Sequence, residues 1–200
     1  MNYQNKMMEI INSLDYRPKL LLHSCCGPCS TTVLSILVKY FDITVLYYNP
    51  NIEPFEEYLH RKEEQIRFIK ELADKHIEFL DCDYANADFR SSVVGLEGEK
   101  EGGARCAVCF KLRLEYTARL AKEKKYDYFG TTLTVSPHKN SEVINKLGAL
   151  LESSYGVKYL YSDFKKKDGY KKSIELSKKY NLYRQNYCGC EFGRVDLWLK

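Results

Sequence analysis

Three thiols stand where the first strand of this chain turns into its first helix, and that placement constrains the rest. The run Leu20-Leu21-Leu22, continued by His23, reads as a buried parallel strand. Gly27-Pro28 interrupts it, and Ser30-Thr31-Thr32 opens a helical pattern through Val33, Leu34, Leu37 and Val38. Cys25, Cys26 and Cys29 therefore lie at the carboxyl end of a strand, where open α/β sheets place their ligands. Nucleotide-binding turns carry glycines or a lysine at this point. Sulfur points to a metal.

The other thiols cluster too: Cys106 with Cys109, and Cys188 with Cys190, leaving only Cys82 alone among eight cysteines. Met1 to Leu14 contains acids and amides with no apolar signal-peptide core, and no later run is long enough to span a membrane. The expectation is a cytoplasmic chain with no membrane partner. There thiols stay reduced, so CCxxC, CxxC and CxC groups favour metal sites over a disulfide framework.

Strands alternate with helices along the chain. Strands are expected over Leu20–Leu22, Ile43–Tyr48, Ile77–Leu80, Tyr128–Thr132 and Val157–Tyr161. Helices are expected over Tyr3–Leu14, from Ser30, over Pro54–Lys75, Cys106–Lys125, Asn140–Ser153 and Ser173–Tyr180. The long third helix should turn Tyr58, Ile66, Ile69 and Leu72 inward and its charges outward. Between Ala85 and Arg105, four glycines among charges suggest a short helix and then a mobile loop. The pattern implies an α/β protein, a three-layer parallel sheet of about five strands, Rossmann-like, with a cysteine-rich C-terminal tail over its carboxyl edge. One domain spans 1–200, with residues 1–16 a helical extension and 181–200 a metal-binding tail.

Seven clustered thiols exceed one four-ligand site. Adjacent residues in a turn rarely aim at one metal, so Cys25 and Cys26 are expected to serve different centres, with Cys29 apart from both. A division of four and three follows: a four-iron cluster including Cys106 and Cys109 at a helix start, and a three-thiol metal with an open position. Two zinc sites stapling the tail would use the same spacing, which does not separate zinc from iron.

Several motifs then occur together: CCGPC after a strand, Tyr47-Tyr48-Asn49-Pro50-Asn51-Ile52, Arg105-Cys106-Ala107-Val108-Cys109, Thr131-Thr132-Leu133, Ser136-Pro137-His138-Lys139, and Tyr183 through Cys190. From Lys19 to Phe192 the chain resembles the epoxyqueuosine reductase family QueH. The resemblance implies cobalamin-independent reduction of the epoxide of epoxyqueuosine, at the wobble position of tRNA, to the alkene of queuosine. It also implies a [4Fe-4S] cluster beside a mononuclear iron, and an electron donor not identifiable from this chain. Cys26, Cys106, Cys109 and Cys188 are assigned to the cluster and Cys25, Cys29 and Cys190 to the iron. Exchanging Cys25 with Cys26, or Cys188 with Cys190, fits nearly as well. Some members carry Asp where this chain has Cys29, and Gly193-Arg194 stands near where a serine is expected.

Substrate contacts are expected from His23, Asn49, Asn51, Tyr58, Arg61, Thr131, Thr132, Lys139, Arg184, Gln185 and Tyr187. Lys158 to Arg184 holds nine Lys/Arg against three Asp/Glu, a local net of +6 beside +4 for the whole chain. Tyrosines are interleaved with these charges, which suits an anticodon loop whose phosphates need cations and whose bases need stacking. Lys165, Lys166, Lys167, Lys171 and Lys172 are the expected tRNA contacts; the plainer reading is a solvated helix over core tyrosines. The first turn also looks like the ATP-pyrophosphatase/HUP-like group with its tRNA-thiolating enzymes, but no phosphate-binding glycine pattern is present. A zinc-stapled RNA-binding module is the non-enzymatic alternative.

Overall fold

A computed structural model describes residues 2–193. It shows helix α1 (Tyr3–Asn12), β1 (Lys19–His23), α2 (Gly27–Leu37), β2 (Asp42–Leu46), α3 (Phe55–Leu72), β3 (Ile77–Leu80) and α4 (Asn86–Ser92). Then come α5 (Ala104–Glu123), β4 (Tyr128–Thr131), α6 (Ser141–Tyr155), β5 (Lys158–Tyr159) and α7 (Gly169–Lys179). The strands form one five-stranded sheet in the order β3-β2-β1-β4-β5, every neighbouring pair parallel. The run Leu20–Leu22 is central because it has no polar face to show: each leucine is 0 % exposed. Burying each contributes about 1.5–3 kcal/mol.

Successive β1 side chains feed opposite layers. Leu20 and Leu22 pack with Met7 and Ile11 of α1, Val33, Leu34 and Leu37 of α2, and Phe68 of α3. Leu21 packs with Phe110, Leu114 and Ala118 of α5 and Ile144 and Leu151 of α6. Helix α2 lies against α3 and α7 on one side, and α5 against α6 on the other. The three-layer expectation holds, and α1 is part of the core of one layer. The register sets His23 level with Leu46 and with Thr131, so the three central strands end together at one edge.

Five local expectations need correction. Helix α2 begins at Gly27 rather than Ser30, because Pro28 is pre-set for a first turn and Cys26 caps it: the Cys26 Sγ accepts from Cys29 N at 3.4 Å. Helix α7 likewise starts at Gly169 rather than Ser173, and β5 is two residues long. On α3 the buried residues are Tyr58, Arg61, Gln65 and Phe68, while Ile66, Ile69 and Leu72 are only partly covered. The loop before α5 is tied down: Arg105 Nη1 donates to the carbonyls of Leu96 (3.3 Å), Glu97 (2.7 Å) and Glu99 (2.5 Å).

The segment after α7 runs back along α3. Arg67 donates to Tyr180 O and Asn181 O, Glu64 accepts from Tyr183 N at 2.8 Å, and Glu57 accepts from the Tyr183 hydroxyl. Arg61 donates to Tyr187 O at 3.4 Å and Cys188 O at 3.2 Å while its Nε pairs with Glu57 at 2.7 Å. Gly189, between the tail thiols, has φ +106, and a Cβ there would stand 2.8 Å from Ile52. Glycine meets both demands without strain.

Candidate metal centre

In the first turn the thiols converge. Cys25 Sγ lies 3.8 Å from Cys26 Sγ, Cys26 Sγ lies 2.8 Å from Cys29 Sγ, and all three fall within 4.8 Å of one another. The expectation that Cys25 and Cys26 point apart, with Cys29 away from both, is thus not met. The capped start of α2 brings Cys29 back over Cys26, one helical turn later. Hydrogen bonds from Cys26 and Cys29 lower the Cys25 pKa well below the usual thiol value, whereas burial pushes Cys26 up to about 12. Three sulfurs this close could hold a soft metal.

The other two thiol pairs come to the same edge. An inner cavity is lined by Cys25, Cys106, Cys109, Cys188 and Cys190, together with Arg113. A wider outer cavity is lined by Cys25, Cys29, Lys139, Gln185, Tyr187 and Cys188. Cys25 and Cys188 belong to both cavities; Cys26 lines neither. The hydrogen bond from Cys190 lowers the Cys188 pKa to about 6 with help from Lys139, and raises that of Cys190. Burial opposes the Lys139 charge, yet Cys25, Cys29 and Cys188 around it raise its pKa. Cys82 is partly buried and lines neither cavity.

Of the expected substrate residues, Asn51 lines the inner cavity, Lys139 both, and Arg184, Gln185 and Tyr187 the outer one. Asn51 Oδ1 and Gln185 Oε1 are buried without a partner among the described residues. The remaining residues are not on the cavities. Tyr58 is buried with Tyr47 and Ile52, its hydroxyl donating to Cys82 O, and Arg61 is spent on Glu57 and the tail. His23 is 0 % exposed with Nδ1 at 3.0 Å from Thr131 Oγ1 and Nε2 at 3.1 Å from Tyr48 O. Burial lowers its pKa to about 3, so it is a neutral brace between strand ends. Asn49 Nδ2 donates to Ser24 O at 2.8 Å, and Thr131 Oγ1 accepts from Leu133 N; Thr132 is wholly buried.

Lys166, Lys167, Lys171 and Lys172 are exposed, while Lys165 pairs with Asp163 at 3.1 Å. Lys171 and Lys172 sit between Tyr170 and Ser173, both of which line the outer cavity. The periodicity missed Arg113, which is 3 % exposed in the inner cavity wall. Its signal was available in sequence: four residues after Cys109, it shares a helix face with that thiol.

Fold and site together define a parallel α/β protein with a thiol-rich, metal-capable centre at the carboxyl edge of its sheet. Comparison with known proteins narrows that class. The family model described as "Epoxyqueuosine reductase QueH" matches residues 20–196. A Staphylococcus epidermidis protein named epoxyqueuosine reductase QueH is 45 % identical over 97 % of this chain and 85 % of its own length. Proteins of the same name are 42 % identical from Acinetobacter baylyi (91 % of this chain, 83 % of theirs) and 33 % from Thermotoga maritima (88 % and 91 %). The chain belongs to the epoxyqueuosine reductase QueH family.

Proposed function

We propose that this chain is an epoxyqueuosine reductase that acts on tRNA, removing the epoxide oxygen of epoxyqueuosine without cobalamin. Its family makes it an oxidoreductase, and the observation carrying the finer reading is the convergence of six thiols on two adjoining cavities, with Cys26 within 4.8 Å of two of them. The net change, epoxide plus two electrons and two protons to alkene plus water, needs an electron source and a holder for the departing oxygen. A [4Fe-4S] cluster and a mononuclear iron, when bound, would supply those two services. The donor set fits them: soft thiols, with Cys25 and Cys188 already pushed toward thiolate.

The cavities favour the alternative thiol pairing in both places. Cys25, Cys106, Cys109 and Cys190 would hold the cluster in the inner cavity. Cys26, Cys29 and Cys188 would hold the iron beside the outer one, with Cys25 close to both. Lys139 Nζ carries a proton at the wall shared by the cavities and is placed to deliver it to the released oxygen. Gln185 Oε1 and Asn51 Oδ1, buried and unpartnered among the described residues, are acceptors for a substrate hydroxyl or amine. Tyr170 and Tyr187 give the outer cavity aromatic walls, and the lysines beside it would meet anticodon phosphates.

The test is anaerobic reconstitution followed by assay on epoxyqueuosine-containing tRNA with a chemical reductant, because the natural electron donor is a separate, unidentified partner. The expected result is about five irons to four sulfides per chain, and conversion of epoxide to alkene seen by mass spectrometry of the nucleosides. Zinc without sulfide, or iron-loaded protein that leaves the epoxide intact, would overturn it.

A further inference from the structure

Three arginines of the described residues are buried, and two of them are each held by three protein oxygens. Arg61 has its carboxylate, Glu57, and two tail carbonyls; Arg105 has three carbonyls of the preceding loop. Arg113 is different. Its Nε donates to Cys109 O at 3.2 Å, its guanidinium stands 5.7 Å from the Phe110 ring, and its other nitrogens make no hydrogen bond or ion pair among the described residues. It lines the inner cavity, whose other lining charges are Arg105, Lys139 and the exposed Glu101. A buried guanidinium with donors to spare suits a site that an anion completes.

Building on the cluster reading above, we propose that Arg113 is the built-in counter-cation of the redox centre in the inner cavity and raises its reduction potential. A cluster held by four thiolates carries net negative charge, and reduction adds one more electron. A fixed positive charge beside it stabilises the reduced form more than the oxidised form. Arg113 suits this task because its Nε is anchored to the backbone of a thiol-bearing turn, which fixes where the charge sits.

The measurement is the midpoint potential of the reconstituted cluster in full-length wild type, Arg113→Gln and Arg113→Lys, by dithionite titration followed by EPR and visible absorption. Arg113→Gln should lower the one-electron reduction equilibrium at least tenfold, a shift of about 59 mV to more negative potential. Arg113→Lys, which keeps the charge, should restore more than half of that shift. If the Gln variant loads no cluster, loading of the Lys variant at near-wild-type potential still supports the assignment. A loaded Gln variant with unchanged potential, or Gln and Lys variants shifted equally, overturns it while leaving the reductase reading intact. Wild-type protein that binds no iron and sulfide overturns both.

Discussion

Removing Arg61 should release the tail without unfolding the sheet. Arg61→Met keeps most of the side-chain volume on α3 but deletes the guanidinium hydrogen bonds to Tyr187 O (3.4 Å) and Cys188 O (3.2 Å). Hydrogen bonds to a charged group contribute about 1.5–3 kcal/mol each, and these long ones belong at the low end, together about 3 kcal/mol. The lost stacking over Tyr187, at 4.9 Å, is worth a further ~0.5 kcal/mol, and Glu57 loses its buried partner. A local opening made easier by that amount is roughly 300-fold more populated. The readout is anaerobic thiol labelling of metal-free protein, followed at Cys190, which is 6 % exposed when docked. Hydrogen exchange at the amide of Glu53, which donates to Gly189 O at 2.8 Å, gives a second probe. Both rates should rise roughly 300-fold while amides of β1 keep their protection. Rates within a few-fold of wild type would show that Arg61 does not hold the tail.

Other variants separate the parts of the site. Cys29→Ala should retain the four-iron absorption but lose turnover, and Cys29→Asp should recover part of the turnover because oxygen also ligates iron; bleaching of the cluster by Cys29→Ala would refute the proposed division of thiols. Replacing Lys166, Lys167, Lys171 and Lys172 with Gln should weaken tRNA binding and flatten its dependence on salt, with iron content unchanged; equal affinity at all salt concentrations would remove these lysines from the interface. Cys82→Ala should leave iron, sulfide and activity at wild-type values, since that thiol lines neither cavity; loss of iron would add it to the ligand set.

The sheet was legible because its signal is local. Leu20–Leu22 and Ile77–Leu80 are short apolar runs bounded by breakers, and they fall inside the observed strands. Cysteine grouping likewise foretold that the first turn, the start of α5 and the tail would meet. What failed was everything set by a distant partner. Apolar periodicity on α3 put Arg61 outside, because nothing local reveals that carbonyls 126 and 127 residues later cover it. The same blindness hid Arg113 and sent Tyr58 to a substrate pocket when it closes an aromatic cluster. Cys26 was read only as a cluster ligand; its sulfur also caps α2 and draws Cys29 close, a local effect obscured because cysteine is not a usual cap.

The polar stripe of α3 has a further consequence. Glu57, Arg61, Glu64 and Arg67 recur at helical spacing; the last three hold the tail through its backbone atoms and Glu57 through the Tyr183 hydroxyl. The tail is thereby a tethered ligand of its own protein, recognised by the path of its main chain more than by side-chain identity. Tethering through α7 supplies an effective concentration in the millimolar range, so an intrinsic affinity no better than that keeps it docked half the time or more. On the proposed reading, each further thiol–metal bond would convert a weak, reversible latch into a closed site, the two tail cysteines having been brought to the cavity wall by the docked backbone.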